Sequence, residues 1–368
     1  MGGVRHLYVH LPFCAHRCGY CDFVTAVGRR DEHAAYADAL LAELGRERHR
    51  LADRVHTVFV GGGTPTYTEP GALARVLDSL PPTDELTVEA NPETVTPELA
   101  ELLARHGVTR VSLGAQSFRP RLLATLERVA GPDDVRCAVH TLRDAGFDNI
   151  SLDLVYGIPG QSAADLDADL ADALALDPEH LSCYELEAKP GTRFTHAHGE
   201  ELQRQAEAME GYFERVVETV TGVGYRWYET ANFCRDEGGR ELRALHNLAI
   251  WRGADYLGIG VGAVSTLGSE RRRNLPSVGR YVAALAVGDP PPQEVERLDA
   301  PTRSLERLML GLRLDEPLVL EDLDAIVDAG ALERLGRSGL VVRHDGGRIS
   351  LSRRGRLLGG GVTAALVA

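Results

Sequence analysis

The first half of the chain alternates between two hydrophobic patterns. Short runs of apolar and β-branched residues predict strands, and longer stretches with apolar residues at helical spacing lie between them. The predicted strands are His6–Leu11, His56–Val60, Glu85–Glu89, Thr109–Leu113, Asn149–Val155 and His180–Tyr184. The predicted helices are Asp31–Arg48, Pro70–Ser79, Pro97–Arg105, Asp133–Ala145 and Ala163–Ala175. This alternation predicts an α/β fold with a parallel sheet, either a partial barrel or an open doubly wound sheet.

The pattern changes after about residue 200. A helix, a strand, a short motif and a glycine-rich turn are predicted in turn at Glu201–Thr221, Tyr225–Glu229, His246–Trp251 and Leu257–Gly262. Three successive prolines in Asp289–Glu294 predict a linker. Beyond it we expect a helix, one or two further helices and a hairpin, at Pro301–Leu314, Leu318–Leu335, Gly339–His344 and Gly347–Leu351. Helices followed by a small hairpin are typical of a winged-helix module.

Composition and charge limit the classes of protein, partner and compartment that the chain can have. Of 368 residues, 44% are hydrophobic and 26% are charged, which is enough apolar material for a large core. The net charge of −14 argues against a nucleic-acid or anionic-membrane partner. No apolar run approaches the roughly 20 residues that span a bilayer. The chain enters its first predicted strand almost at once, without a signal peptide, so we expect a cytoplasmic protein.

Three of the six cysteines form a compact motif directly after the first predicted strand. Cys14, Cys18 and Cys21 have the spacing Cys-x-x-x-Cys-x-x-Cys, whereas Cys137, Cys183 and Cys234 are scattered. Thiolates favour iron–sulfur clusters, zinc or copper(I). A four-iron cluster ordinarily takes four cysteines, so three would leave one iron open to a substrate. A zinc site closed by His16, or buried structural cysteines, would also explain the motif; the scattered cysteines read as small hydrophobes.

A glycine-rich turn follows the second predicted strand. It reads Gly61-Gly62-Gly63-Thr64-Pro65-Thr66. Ligands gather at the carboxyl ends of parallel strands, and glycine lets the backbone approach them closely. By itself this turn is a weak signal, but it follows the cysteine loop in the chain.

The cysteine segment and the glycine turn together resemble a known superfamily. The segment Leu7-Tyr8-Val9-His10-Leu11-Pro12-Phe13-Cys14-Ala15-His16-Arg17-Cys18-Gly19-Tyr20-Cys21-Asp22-Phe23 is similar to the opening of the HemN-type branch of the radical-SAM superfamily. That branch contains oxygen-independent coproporphyrinogen III oxidases and the HemW family of heme chaperones. The resemblance implies a partial (β/α)6 barrel with a small C-terminal winged-helix-like domain. It also implies a 4Fe–4S cluster on the three cysteines, whose open iron binds S-adenosylmethionine (SAM) for cleavage to a 5′-deoxyadenosyl radical.

The resemblance also assigns further residues to the SAM site. They are Gly62, Gly63, Thr64, Glu89, Gln116, Arg128 and Asp153, with Tyr8 and Tyr20 near the cluster or the adenine. A carboxylate can hold ribose hydroxyls, and an arginine can bind the SAM carboxylate through two hydrogen bonds. Taken one by one, each of these residues could equally be a solvated polar group or a cap.

Small features favour the HemW family over the oxidases. Cys21 is followed by Asp22-Phe23 rather than by a further cysteine, and the chain has almost no extension before the cysteine loop. The segment from His246 to Trp251 is similar to the motif His-Asn-x-x-Tyr-Trp, which makes His246 a candidate heme ligand. The chain departs from the HemW pattern in three places: Ile250 replaces a tyrosine, and two family histidines are missing, one at Val264 and one near Val129-Ala130.

We therefore expect a heme chaperone that passes heme to a target apoprotein. A reductant such as a flavodoxin or ferredoxin is the implied electron donor, and a peripheral membrane contact stays open. The expected parts are a barrel at 1–230, a flanking segment at 231–290 and a HemN-type helical domain at 291–368. The main alternative is a coproporphyrinogen III oxidase of porphyrin biosynthesis.

Two other classes of protein remain open from the residues alone. A zinc-stabilised nucleic-acid-binding protein is suggested by Arg337, Arg343, Arg348, Arg353, Arg354 and Arg356. Plain electron transfer would leave the glycine turn and the strand-end residues without a role.

Overall fold

A single mixed sheet organises most of the chain. The computed structural model describes residues 3–189, 193–321, 323 and 325–367. The strands up to residue 259 are β1 (His6–Leu11), β2 (Phe13–Cys14), β3 (Ala26–Val27), β4 (Val55–Gly62), β5 (Thr83–Ala90), β6 (Arg110–Gln116), β7 (Ile150–Tyr156), β8 (His180–Glu185), β9 (Tyr225–Glu229), β10 (Asn232–Arg235) and β11 (Leu257–Ile259). Nine of them form one sheet in the order β11-β1-β4-β5-β6-β7-β8-β10-β9. The pairings from β1 to β8 are parallel, as predicted. The glycine-rich region adds β11, which also pairs with β1 in parallel.

The strand order settles the choice between a barrel and a doubly wound sheet. From β1 through β8 the order follows the chain without a reversal, so right-handed crossovers place the helices that connect these parallel strands on one face. The opposite face of β4 to β8 lines a single cavity, which requires the sheet to curve. The helices are α1 (His33–Glu47), α2 (Pro70–Asp78), α3 (Pro97–Arg105), α4 (Pro120–Thr125), α5 (Pro132–Asp144), α6 (Ala163–Ala175), α7 (Arg193–Gly222) and α8 (Leu245–Trp251). The arrangement is a partial barrel.

Local sequence explains where most of these helices begin. Helices α2 to α5 each start with proline, whose fixed φ suits the first helical position and which needs no partner for a backbone N–H. Ser162 and Asp165 form a capping box at the start of α6. Helix α7 begins eight residues before the predicted Glu201, because Phe194 packs into a small core with Leu122 and Ile158. That packing is a tertiary contact.

The glycine-rich region and the proline segment lead into a small antiparallel sheet. It consists of β12 (Val264–Leu267), β13 (Glu270–Asn274) and β14 (Gln293–Arg297), and α9 (Val278–Ala286) connects the last two. The predicted linker Asp289–Glu294 is therefore partly wrong, because Gln293 and Glu294 pair with β13. Asp289 and the three prolines, which cannot donate to a ladder, lie outside the strand.

The C-terminal residues form a module with its own core. Its elements are α10 (Ala300–Gly311), β15 (Leu318–Val319), α11 (Ala329–Arg337), β16 (Val341–His344), β17 (Arg348–Leu351), α12 (Arg353–Leu357) and α13 (Gly359–Leu366). Leu308, Leu323, Ile349 and Leu366 belong to that core. The predicted hairpin is confirmed, and the module is winged-helix-like. The helical prediction for Leu318–Leu335 is wrong at its start, because β15 pairs with β17.

The division of the chain at residues 230 and 290 stays a prediction. Strands β10 and β11 lie after residue 230 and still belong to the main sheet. Among the helices that the structure describes, none has the length and apolar character needed to cross a membrane.

Candidate functional site

The three clustered cysteines lie on one loop above the sheet. Cys14 ends β2 and is buried, and Cys18 and Cys21 are half-buried in the loop that leads to β3. The loop is tied down by His10 of β1, whose Nε2 donates to the Val24 carbonyl at 2.8 Å. Tyr8 donates its hydroxyl to the other ring nitrogen of His10 at 3.0 Å. Burial raises the pKa of the Cys14 thiol to about 11, so a metal would have to displace a proton.

The three thiols face a cavity of about 430 Å³ inside the curved sheet. Most of the residues predicted for the SAM site line the same cavity. These residues are Gly62, Gly63, Thr64, Glu89, Gln116, Arg128, Asp153 and Tyr20. They come from the carboxyl ends of β4 to β7 and from two loops, which is where a parallel barrel collects its ligands.

A chain of hydrogen bonds joins two of the thiols across this cavity. Thr64 donates to Cys14 Sγ at 3.5 Å and accepts from Asn91 Nδ2 at 3.0 Å. Arg128 then links Asn91 Oδ1, at 2.9 Å, to Cys18 Sγ, at 3.5 Å. Asn91 was not among the predicted site residues. Its position after the end of β5, followed by a proline that stops the strand, is the signal that would have found it.

Arg128 is a cation in the wall of this cavity and is held there by several hydrogen bonds. One terminal nitrogen also donates to the Gly114 carbonyl at 2.8 Å, so the guanidinium is held at several points. Its Nε is buried and has no hydrogen-bond partner. An unsatisfied charged donor beside two thiols is suited to an anionic oxygen such as a carboxylate.

Two acids also line the cavity. Glu89 accepts from the Gly62 backbone N–H at 3.1 Å, and Asp153 accepts from Ser112 Oγ at 3.0 Å. Burial, together with the charge of Asp153, raises the pKa of Glu89 to about 7. Burial also raises the pKa of Asp153, although Ser182 and Ser112 partly offset it. Such carboxyls can hold hydroxyl or ammonium groups of a ligand.

The glycine turn is required by its protein neighbours. Gly62 has φ +120°, and a Cβ there would lie 2.7 Å from the His10 ring. A Cβ on Gly61 would lie 2.8 Å from Glu89 Oε2, and one on Gly63 would lie 2.5 Å from the Pro12 carbonyl oxygen. The three glycines thus bring β4, the cysteine loop and Glu89 close together, and Gly62 and Gly63 still line the cavity.

Gln116 shows local backbone strain at the end of β6. Its φ is +63°, and the pairing of β6 with β7 shifts register between Gly114 and Gln116. Strained non-glycine residues and bulges concentrate at functional sites, where they redirect a side chain. Here the Gln116 side chain reaches the cavity.

Two predicted residues do not line the cavity. Tyr8 acts on His10 instead, as described above. His246 is 2% exposed inside the barrel, where its Nδ1 hydrogen bonds to Thr57 at 2.9 Å and its Nε2 has no partner. Thr57 lies near the start of β4, at the end of the barrel opposite the cysteines. Heme iron would reach this ring only if α8 moved.

The remaining cysteines lie apart from the clustered three. Cys183 and Cys234 are buried in strands, which fits small hydrophobes. Cys137 is exposed on α5, so the hydrophobic interpretation is wrong for it. Over the described residues, no three His, Cys, Asp or Glu side chains are placed to hold one metal ion. An iron–sulfur cluster does not need three ligands that converge on one ion, because each thiolate binds a separate iron.

Comparison with known proteins places these features in a family. The radical SAM superfamily matches residues 8–173, and the HemN C-terminal domain matches residues 298–358. The heme chaperone HemW of Mycobacterium tuberculosis is 37% identical over 373 residues, covering 98% of this chain and 94% of the relative. HemW of Bacillus subtilis is 32% identical and covers 99% of both chains.

A solved structure has the same fold. Coproporphyrinogen III oxidase HemN from Escherichia coli matches with a TM-score of 0.81, covering 99% of this chain and 90% of the oxidase at 22% identity. At that identity the likeness concerns the fold alone. The full-length matches to curated relatives, together with the cysteine loop and its cavity, show that the chain belongs to the HemW family of the radical SAM superfamily.

Proposed function

We propose that the protein is a heme chaperone that carries a 4Fe–4S cluster and SAM in the barrel cavity. The observation that carries the proposal is the match to curated heme chaperones along nearly the whole chain. Membership of the radical SAM superfamily implies the cluster and SAM. When bound, they supply that superfamily's electron-transfer and radical chemistry.

The residues present fit these groups. Cys14, Cys18 and Cys21 would hold three irons, because their thiols line one cavity on a loop that has no fourth cysteine. The unpartnered Nε of Arg128 supports an anionic ligand group beside the cluster, such as the SAM carboxylate. Glu89 and Asp153 would accept hydrogen bonds from the amino group and the ribose hydroxyls.

The protein's own residues orient and shield this site. Thr64 and Arg128 donate to the sulfur atoms of Cys14 and Cys18, and such donors stabilise thiolates and tune a cluster's potential. His10 fixes the loop through Val24. With SAM and the cluster bound, the cavity around Glu89 would hold little water, which would strengthen the electrostatic interactions inside.

The chaperone reading is preferred to the oxidase alternative for two reasons. The similarity to the oxidase rests on fold at 22% identity, whereas that to the chaperones reaches 37%. In addition, Cys21 is followed by Asp22 and not by a fourth clustered cysteine. His246 as a heme ligand stays a prediction.

Anaerobic reconstitution tests the proposal directly. We expect about four irons per chain, binding of SAM and of heme, and transfer of heme to an apo-cytochrome. Cys14→Ala, Cys18→Ala and Cys21→Ala should each lose most of the iron, whereas the exposed Cys137→Ala should keep it. Protoporphyrinogen formed from coproporphyrinogen III, without heme transfer, would favour the oxidase. Zinc in place of iron would contradict both.

The partners follow from this function and are part of the proposal. Heme is the cargo, an apoprotein is the recipient, and a flavodoxin or ferredoxin is the reductant. The free thiols of the cysteine loop suit the reducing cytoplasm.

A further inference from the structure

A second cavity lies between the barrel and the C-terminal module. Its volume is about 1110 Å³, more than twice that of the cavity beside the cysteines. Its walls come from α7, from the strand ends beside it and from the C-terminal module, including α10, and they are mostly apolar. The lining includes Phe213, Leu305, Met309, Leu335, Leu340 and Val362.

The barrel cavity is too small for a third large group. Its volume of about 430 Å³ is at the low end for ligand pockets, and SAM and the cluster have to share it. The second cavity reaches the upper end of that range, roughly 1,000 Å³. Glu185 at the end of β8 lines both cavities, so the two are neighbours.

The apolar walls are open to solvent. Met309 is 51% exposed and Leu358 is 41% exposed. Exposed apolar surface that lines a concave site marks a place where a ligand or partner binds. The chain has three methionines, and Met209 and Met309 both line this cavity. Methionine is flexible and polarizable, which suits a wall that accommodates a large planar ligand.

A cation with unused donors stands in the same wall. Arg356 stacks on Trp227, with its guanidinium carbon 3.7 Å from the ring centroid, and donates from Nη1 to the Trp227 carbonyl at 2.7 Å. Its Nε and Nη2 are buried and have no partner. The other cation of the wall, Arg313, is paired with Glu229 at 2.6 Å. Arg356 is therefore the cation that a ligand carboxylate would satisfy.

We propose that this cavity between α7 and the C-terminal module is the heme site, with the macrocycle against the apolar walls and a propionate on Arg356. The inference rests on the proposed heme-chaperone function, and it gives that function a site away from the SAM cavity. A large planar apolar ligand with carboxylates combines the two features that the cavity offers. His246 lines neither cavity.

A heme titration of the reconstituted full-length protein tests the site. Met309→Glu places a carboxylate in the apolar wall at an exposed position, and we expect it to raise the Kd for heme roughly 10-fold or more. The matched control is Val287→Glu, since Val287 is 75% exposed and outside the cavity. It should leave the Kd within about 2-fold.

A second set of variants tests the contribution of the Arg356 charge to heme binding. Arg356→Gln should weaken heme binding roughly 10-fold while leaving the affinity for the dimethyl ester of protoporphyrin nearly unchanged. Arg353→Gln, an exposed neighbour on α12, is the control and should alter neither. Circular dichroism and iron content check that each variant is folded.

The outcomes separate the two proposals. A wild-type protein that binds no heme would overturn the proposed function, and this site with it. Heme binding that is unchanged by Met309→Glu and by Arg356→Gln would overturn the site alone, and its loss in His246→Ala would move it into the barrel. If Met309→Glu instead dissociated a dimer without affecting heme, the cavity would belong to a second copy of the chain.

Discussion

The Arg128 side chain connects several parts of the site that are far apart in the sequence. It is twelve residues beyond Gln116 in the sequence, yet in the structure it connects Asn91, Gly114 and Cys18. The donors of one guanidinium thus reach a thiol, a strand end and the open cavity. Lysine cannot replace that planar set of donors with its single ammonium group.

Replacing this arginine should separate SAM binding from cluster binding. We expect Arg128→Gln to weaken SAM binding by about 2 kcal/mol, or roughly 30-fold, because a charge-assisted hydrogen bond is lost. Iron content should stay near wild type, since the three cysteines remain. Isothermal titration of reconstituted protein measures the effect. Arg121→Gln is the control, because Arg121 is exposed and bonds only to Gly160 and Asp165 among described contacts; equal SAM affinity in both variants would contradict the assignment.

The raised pKa of Glu89 predicts that the free energy of unfolding depends on pH. Burial, and then the charge of Asp153, raises its pKa from 4.5 to about 7 in the folded protein. The folded state therefore binds the proton more tightly than the unfolded state. The stabilisation that comes from protonated Glu89 is complete below about pH 4.5 and is lost as the pH rises through about 7.

Urea unfolding of the ligand-free protein checks this sign. Relative to Glu89→Gln, the free energy of unfolding of the wild type should fall by up to ~3 kcal/mol between about pH 4.5 and pH 7. A difference that is constant over this range, or that grows with pH, would mean that the carboxyl is already ionised in the folded protein.

At the level of elements, the turn after β4 locks the cysteine loop in place. Gly62 has a φ that other residues rarely adopt, and it lies against the ring of His10. His10 in turn holds Val24, which lies between Cys21 and β3. The strand end, the histidine and the loop are therefore coupled by contact.

A methyl group at this turn should disturb both folding and the cluster. We expect Gly62→Ala to destabilise the protein by about 2 kcal/mol, through backbone strain and the clash with His10, and to lower the iron bound on reconstitution. The control is Gly45→Ala in α1, where no atom lies within 4 Å of an added Cβ. That change should be neutral or stabilise the helix by about 0.5–1 kcal/mol. Chemical denaturation measures the change in stability of both variants, and iron analysis measures the change in bound iron.

At the scale of the whole molecule, the C-terminal module is attached to the edge of the main sheet. Arg313 binds Glu229, a fully buried acid at the end of β9. Asp315 pairs with Arg226 at 2.7 Å, and its backbone N–H donates to the Tyr228 carbonyl. These contacts also shape one wall of the larger cavity.

Removing the Arg313–Glu229 ion pair at this junction should lower the free energy of unfolding of the protein. Arg313→Ala leaves Glu229 with only its bonds to Ala231 and Asn232, so we expect a loss of about 1–2 kcal/mol in unfolding free energy. Arg313→Lys should recover part of it. Arg303→Ala, on the exposed face of α10, is the control, and thermal unfolding measures all three. No difference between Arg313→Ala and Arg303→Ala would show that the ion pair does not stabilise the junction.

The basic residues of the module have different environments. Arg343, Arg348, Arg353 and Arg354 are exposed, whereas Arg356 is half-buried and stacks on Trp227. The sequence grouped all of them as one cluster. Burial depends on how α12 packs on α7 and β9, which the spacing of arginines does not reveal.

The sequence by itself determined the alternation of strands and helices, the cysteine motif and a set of candidate SAM-site residues, most of which line the barrel cavity. These features follow from local periodicity, from proline and glycine signals, and from a motif whose residues lie close together in the chain. The branch of the superfamily was recognised from the same residues. The winged hairpin was also predictable, because its turn is marked by Asp345-Gly346-Gly347.

Only the tertiary structure decided which distant groups meet. It brought Asn91 between Thr64 and Arg128, directed His246 into the barrel interior, and turned Gln293 from a linker residue into a strand residue. It also built the larger cavity from three separate parts of the chain and left two nitrogens of Arg356 without partners there. Such contacts depend on long-range packing, whose free energy is set by neighbours far away in sequence and not by local pattern.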